Sequence, residues 1–201
     1  MRAQLLGKTP DELKEIALKA GLPAFAGKQL AQWLYVRKVR GIDEMTNISK
    51  VGRERLKEEY SLGLTLPSAC QVSSDGTKKY LFPVGEGNAV EAVMIPDEER
   101  KTLCVSSQAG CRMGCRFCMT GRQGFHGNLS TAEILSQFIG IDEAGGLTNA
   151  VFMGMGEPLD NLDNVLRAIE VLTADWGFGW SPKRITLSTI GVLPNLRRYL
   201  D

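Results

Sequence analysis

Three cysteines lie within eight positions of one short stretch of the chain, GCRMGCRFCMTG, at residues 110–121. Their C-x₃-C-x₂-C spacing places Cys111, Cys115 and Cys118 in a single loop. Thiolates bind soft metal centres and carry out redox chemistry, so this grouping predicts a metal or redox site. The total of five cysteines is odd and clustered, which favours a reducing compartment over a framework of disulfides.

Two kinds of metal centre suit three thiols on one loop. A structural zinc ion takes four ligands, and the only histidine, His126, lies eight residues after Cys118, so a Cys₃His site is one interpretation. The other interpretation is a 4Fe–4S cluster, which four cysteines usually hold. With three cysteines, one iron keeps an open position for another ligand. The cysteines and the histidine leave both interpretations open.

Two further segments suited to ligand binding follow predicted strands. The glycine-rich GMGEP, at 154–158, ends the apolar run NAVFMGM, and STIG, at 188–191, ends RITLST. The cysteine loop follows the predicted strand TLCVSS. Barrels of α/β type build their sites at the carboxyl ends of their strands, so the three segments predict one common site. Each also has a structural interpretation, because glycine suits tight turns and Ser or Thr caps helices.

The elements that must position these segments form three βα units in series from about residue 97. Helical periodicity predicts helices in STAEILSQFIGIDEA and NLDNVLRAIEVLTADW, and another helix begins in LPNLRRYL. Strands and helices that alternate in this way are typical of a parallel α/β sheet or barrel.

The preceding residues predict two other segments. Residues 1–66 predict a small helical domain, with Thr9 as the N-cap of a first helix, a second helix in GKQLAQWLYVRK and a third capped by Ser49. Residues 67–96 predict an antiparallel β connector, because turn signals at Asp75-Gly76 and GEGN interrupt short alternating runs.

Charge and hydropathy narrow the class of protein. The net charge is +1, but residues 1–60 carry twelve Lys or Arg against eight Asp or Glu, and the remainder carries twelve against fifteen. The basic excess of the first part fits either a solvated helical surface or RNA contact. No apolar run approaches the roughly 20 residues that span a bilayer, and the N-terminus lacks a signal-peptide pattern. We therefore expect a cytoplasmic protein without a membrane partner.

The cysteine spacing, with Phe117 just before the last cysteine, resembles the signature of the radical S-adenosylmethionine (SAM) superfamily. The resemblance implies that Cys111, Cys115 and Cys118 hold a 4Fe–4S cluster and that SAM chelates the open iron. An electron from the cluster then cleaves SAM to a 5′-deoxyadenosyl radical. It also implies that the three βα units are the first half of a partial (β/α)₆ barrel, and that His126 is a surface loop residue.

Longer segments are similar to one family within this superfamily. LCVSSQAGCRMGCRFCMTGRQGF, VFMGMGEPLDN and RITLSTIG closely resemble the dual-specificity RNA methyltransferases (RlmN), and FAGKQLAQWLY and SSDGTKKYLF resemble the N-terminal part of that family. The resemblance runs from about residue 10 to the end and implies methylation of C2 of adenine in 23S rRNA and in tRNA. A related family that methylates adenine C8 is close, but GMGEP resembles the C2 enzymes better.

The resemblance assigns roles to individual residues. Gly156, Glu157 and Ser188 would contact SAM. Glu91 would be the proton acceptor, and Cys104 would help to resolve a covalent protein–RNA intermediate. Without the resemblance, Cys104 reads as a buried strand residue and Glu91 as an exposed hairpin carboxylate.

The resemblance also implies a reaction course. Adenine C2 is an electron-poor carbon, so the family first methylates one of its own cysteines and then adds a methyl-derived radical to C2. The resemblance further implies a flavodoxin-type electron donor, a disulfide bond and a monomeric state.

The methyl-carrying cysteine and the later SAM contacts of the family match no position in these 201 residues. We therefore expect the N-terminal part of a longer enzyme, inactive in methyl transfer as this polypeptide alone. The competing function class is a non-catalytic RNA-binding module stabilised by a metal.

Overall fold

The computed structural model describes residues 2–85 and 87–201. The strands of this part are β1 (Ala3–Gln4), β2 (Tyr60–Ser61), β3 (Ala69–Val72), β4 (Lys78–Val84), β5 (Asn88–Asp97), β6 (Arg100–Cys104), β7 (Gln108–Gly110), β8 (Phe125–Asn128), β9 (Asn149–Phe152) and β10 (Ile185–Leu187). The α-helices are α1 (Pro10–Lys19), α2 (Ala26–Ala31), α3 (Lys50–Glu59), α4 (Met119–Arg122), α5 (Thr131–Ile139), α6 (Leu162–Thr173) and α7 (Asn195–Leu200). Shorter helical turns are a π-helical turn at Gln32–Val36 and 3₁₀ turns at Ile42–Glu44, Pro158–Asn161 and Pro182–Arg184.

A six-stranded sheet with the order β10-β9-β6-β5-β4-β3 forms the centre of the molecule. Strands β6, β9 and β10 are parallel, whereas β3 to β6 are joined antiparallel. The predicted α/β class is confirmed, because α5 connects β6 to β9 and α6 connects β9 to β10. Over the residues that the structure covers, the sheet stays open at β10 and β3, as expected for part of a barrel.

The predicted β connector continues this sheet. Its first hairpin turns at Asp75-Gly76, where Gly76 has φ +84° and the Asp75 carboxylate accepts a hydrogen bond of 3.0 Å from the Thr77 amide. The predicted second turn, GEGN, includes residue 86, which lies outside the described residues. The predicted division of the chain into three segments, with boundaries at residues 66 and 96, stays a prediction. The connector strands β3, β4 and β5 lie in the same sheet as β6.

The helix starts follow local sequence signals. In α1, the Thr9 hydroxyl accepts from the Glu12 amide and the Glu12 carboxylate accepts from the Thr9 amide at 2.7 Å, which forms a capping box. Ser130 and Glu133 form the same arrangement at the start of α5. Ser49, the predicted cap of the third helix, accepts a hydrogen bond from the Gly52 amide at the start of α3. These caps satisfy amide donors that have no partner within the helix.

One hydrophobic core joins the N-terminal helices to the α/β part. It contains Leu13 of α1 and Phe152 of β9 among its members. The buried Tyr35 ring lies 5.5 Å from the Trp176 ring, and its hydroxyl donates to the Lys8 carbonyl at 2.6 Å. None of the described helices is long and apolar enough to cross a membrane.

The two faces of the sheet differ in their burial. Along β5, Val90, Ala92 and Met94 are buried on the helix-covered face, and the residues between them are at least partly exposed. Side chains alternate between the faces of a strand, so Glu91 and Val93 share the open face. Along β5, the open face therefore presents side chains that solvent can reach.

Candidate functional site

The cysteine loop leaves the sheet after β6 and is closed at its base by the hairpin of β7 and β8. The Cys111 amide donates to the Gly124 carbonyl at 2.9 Å. Gly110 has φ +70°, and a Cβ at this position would collide with the Gly124 carbonyl. Glycine is therefore required at the point where the loop begins.

The three cysteines of the loop are free and partly exposed. A backbone hydrogen bond from Gly121 lowers the pKa of Cys118. Burial raises the pKa of Cys111, and the charges of Cys115 and Cys118 act in the same direction. The negative charges of neighbouring thiolates repel one another. A cationic centre that binds all three thiolates would therefore be stabilised by each of them.

The arrangement of the donor side chains distinguishes the two metal interpretations. Within residues 2–85 and 87–201, no three His, Cys, Asp or Glu side chains lie close enough together to hold a single ion. His126 is exposed, and its Nε2 lies 3.0 Å from the Gln123 carbonyl oxygen, so it does not join the thiols. A cluster needs no common point for its ligands, because each thiolate binds a different iron. The thiol donors fit a cluster better than a Cys₃His zinc ion.

The GMGEP segment forms a tight turn against the strand end of β6. The Met155 carbonyl accepts from the amides of Ser107 at 2.8 Å and of Gln108 at 3.2 Å. Gly156 has φ +95°, and a Cβ there would lie 2.5 Å from the Cβ of Gln108. The close packing of this turn accounts for its glycine, and the predicted contact of Gly156 with SAM stays a prediction.

The Glu157 carboxylate is buried and fully engaged within the protein. Its side chain accepts hydrogen bonds from the Leu159 amide at 3.0 Å, the Thr189 hydroxyl and the Ile190 amide at 3.1 Å. It therefore links the turn after β9 to the segment after β10. Ser188, beside Thr189, is exposed at the end of β10.

Glu91 and Cys104 lie on the same open face of neighbouring strands. Val93 of β5 pairs with Cys104 of β6, and Glu91 is two residues from Val93 along the strand. The Glu91 carboxylate forms an ion pair of 3.0 Å with Lys79. Burial raises the pKa of the Cys104 thiol. The two residues that the resemblance singled out are thus diagonal neighbours across the strand pair.

The disulfide expectation was wrong for these residues. All five cysteines, including Cys70 and Cys104, are free.

Buried polar residues that the sequence analysis missed surround the strand end of β6. Ser106, Gln108, Gln137 and Asn161 are each at most 3% exposed. The Ser106 hydroxyl donates to the Glu91 carbonyl at 2.6 Å and accepts from the Met155 amide at 2.8 Å. The signal available in the sequence was the polar run SSQ directly after an apolar strand, since buried polar groups need specific partners.

The comparisons with known proteins cover both parts of the chain. The model described as "Radical SAM superfamily" matches residues 105–201. The model described as "Ribosomal RNA large subunit methyltransferase N-terminal domain" matches residues 3–62. The helical N-terminal segment and the part of the chain with the cysteine loop are therefore each matched by a separate family model.

A protein of Porphyromonas gingivalis named as a probable dual-specificity RNA methyltransferase RlmN is 62% identical over 98% of this chain, which covers 57% of that relative. The chain matches the N-terminal part of RlmN proteins. A family member of Geobacter sulfurreducens is 44% identical over 96% of this chain and is covered to 53%. The chain thus spans a little over half the length of these RlmN relatives.

A solved structure supports the same fold. A radical SAM methyltransferase from Sphaerobacter thermophilus superposes with a TM-score of 0.90 at 35% sequence identity. The match covers 98% of this chain and 60% of that structure. The open sheet therefore corresponds to part of a larger radical SAM fold.

Proposed function

We propose that this chain is the N-terminal part of a radical SAM methyltransferase that modifies C2 of adenine in 23S rRNA and tRNA. The observation that carries the proposal is the direct contact between the segment just before the cysteine loop and the GMGEP turn. The amides of Ser107 and Gln108, just before the loop, both donate to the Met155 carbonyl. A site that combines a metal centre with a bound cofactor needs this proximity.

Cys111, Cys115 and Cys118 would be the protein ligands of a 4Fe–4S cluster. All three thiols come from one loop that the Cys111–Gly124 hydrogen bond closes, so this chain supplies its whole ligand set. Together with SAM, the cluster would supply the one-electron chemistry that generates a carbon radical.

Gly156, Glu157 and Ser188 would form the SAM-binding edge. The glycine allows backbone to approach closely at the turn, and the exposed Ser188 hydroxyl is available at the end of β10. The Glu157 carboxylate already has three protein donors, so we assign it the task of holding the two strand ends together at this edge.

Glu91 would accept a proton from the methylated adenine, and Cys104 would resolve the covalent intermediate. Both side chains lie on the open face, where an RNA base can reach them. The ion pair between Glu91 and Lys79 is about half exposed on each side, so its loss on substrate binding costs little.

The basic N-terminal helices would contact RNA phosphates. Lys28, Arg37 and Arg40 are exposed. Lys38 belongs to the same basic run, but its ammonium donates to the Ala144 carbonyl at 2.6 Å and lies over the Phe178 ring. We therefore assign Lys38 to the packing of the fold. A flavodoxin-type electron donor, a monomeric state and a cytoplasmic location complete the proposal.

The test is anaerobic reconstitution with iron and sulfide, followed by addition of SAM. The proposal predicts the broad visible absorption of an iron–sulfur cluster and a change in the electron paramagnetic resonance (EPR) spectrum of the reduced protein when SAM is added. Stoichiometric zinc without iron, in protein prepared anaerobically with iron present, would favour the metal-stabilised RNA-binding module instead.

A further inference from the structure

Gln108 lies at the centre of a buried hydrogen-bond network between the two functional loops. Its side chain is fully buried, and its carbonyl oxygen accepts from the backbone amide of Glu157 at 2.9 Å. Its amide nitrogen donates to the side chains of Asn128 at 2.7 Å and Asp160 at 2.8 Å. One side chain therefore contacts the GMGEP turn, the β8 strand and the 3₁₀ turn that precedes α6.

The same residue sets the distance between the GMGEP turn and the strand end. Gly156, in a left-handed conformation, packs against the Cβ and backbone amide of Gln108 so closely that no other residue fits. The turn is thus held at Gly156 by packing and at Glu157 by a hydrogen bond. A side chain without the acceptor oxygen would leave the Glu157 amide buried and unpaired.

The network continues into the cysteine loop. The Asp160 carboxylate that accepts from Gln108 also forms an ion pair with Arg112, whose Nε lies 3.5 Å from Asp160 Oδ2. Arg112 directly follows Cys111 and lies 4.0 Å over the centre of the Phe125 ring. A continuous chain of polar contacts therefore runs from Glu157 through Gln108 and Asp160 to the loop that carries the thiols.

We infer that Gln108 is a positioning residue that fixes the GMGEP turn relative to the cysteine loop. This inference rests on the proposed function, because the ligand held between the two loops would be SAM. Gln108 needs no contact with SAM for this role. Its loss is expected to weaken SAM binding while the cluster still assembles, since the thiol loop keeps its own closure at Gly124.

The first test replaces Gln108 by a side chain of similar length that has no hydrogen-bonding groups. Gln108→Met in the reconstituted 201-residue chain should weaken SAM binding by about tenfold or more, with unchanged iron content. Tyr80→Phe is the matched control, because it removes a 2.6 Å hydrogen bond from a buried side chain on the helix-covered face. The control should lower stability and leave SAM affinity unchanged.

The second test exchanges donor and acceptor between Gln108 and Asp160. Gln108→Glu alone places two carboxylates together and should weaken SAM binding by about tenfold. The double variant Gln108→Glu, Asp160→Asn restores one donor–acceptor pair at unchanged net charge. It should recover part of the affinity, because the ion pair between Arg112 and Asp160 stays lost, and a general loss of stability cannot explain such a recovery.

The outcomes separate this inference from the proposed function. Wild-type protein that holds a cluster but does not bind SAM would contradict the proposed function, and hydrogen exchange of the Glu157 amide in Gln108→Met would still decide whether Gln108 holds the turn. Wild-type protein that binds SAM, with Gln108→Met binding equally well or losing iron in parallel, would overturn the inference alone.

Discussion

The buried carboxylate of Glu157 accepts a hydrogen bond of 3.1 Å from the backbone amide of Ile190, across the gap between two parallel strand ends. Since β9 and β10 share only three residue pairs, this contact extends their association beyond the sheet. The strand ends can carry a common ligand only if their spacing is held.

Glu157→Gln should therefore weaken both the fold and the site. An amide in place of the carboxylate keeps one acceptor oxygen, so one of the donors of Thr189 and Ile190 loses its partner. We expect a loss of about 1–3 kcal/mol in the free energy of unfolding, measured by urea denaturation, and weaker SAM binding. The exposed Glu170→Gln serves as control, and equal stability of the two variants would contradict the assignment.

Gly156→Ala should destabilise the protein by more than the left-handed backbone conformation at this position alone would cause. The position combines φ +95° with a Cβ clash against Gln108. Gly179→Ala, at φ +66° with open space around the Cβ, isolates the conformational part, which is about 1–3 kcal/mol. Thermal unfolding should show a larger loss for Gly156→Ala, and equal losses would mean that the turn relaxes freely.

The N-terminal charges should divide into two functional groups. Charge reversal of Arg37 and Arg40 together should weaken binding to rRNA or tRNA fragments and reduce its salt dependence, because exposed cations contact phosphates. Lys38→Met should leave RNA binding unchanged and lower stability, since its ammonium bonds the Ala144 carbonyl. RNA affinity that responds only to Lys38→Met would reverse this assignment.

Cys104 should react slowly with alkylating reagents at neutral pH. Burial raises its pKa above the ordinary thiol value, so the reactive thiolate is scarce until the pH rises through that pKa. Exposed Cys70 is the internal reference. Peptide mapping after iodoacetamide treatment of the unreconstituted protein should show that Cys70 is labelled first and that the labelling of Cys104 increases with pH. Equal labelling at neutral pH would contradict the partial burial of Cys104.

The local parts of this structure could be predicted from the sequence. The capping boxes at Thr9 and Ser130 depend on residues three positions apart, and the cysteine loop is a contiguous motif. The role of Gln108 could not be predicted, because two of its partners, Glu157 and Asp160, lie about fifty residues away. Only the folded sheet brings them together.

The N-terminal helices show a second limit of sequence reasoning. The predicted helix GKQLAQWLYVRK divides into α2 and a π-helical turn at Gln32–Val36. Lys38 then adopts a left-handed conformation with φ +52°, which directs its side chain inward to Ala144. A helical pattern would have placed Lys38 with the exposed arginines, and no local signal marks the change.

The assignment of an iron–sulfur cluster to one loop of this chain is the basis of the proposed function. It is tested most directly by iron and acid-labile sulfide per chain after anaerobic reconstitution, in wild type and in Cys115→Ala. We predict about four of each in the wild type and in the Cys70→Ala control, with loss of the cluster in Cys115→Ala. Undiminished iron and sulfide in Cys115→Ala, or wild-type protein that takes up zinc and no iron, would contradict this assignment.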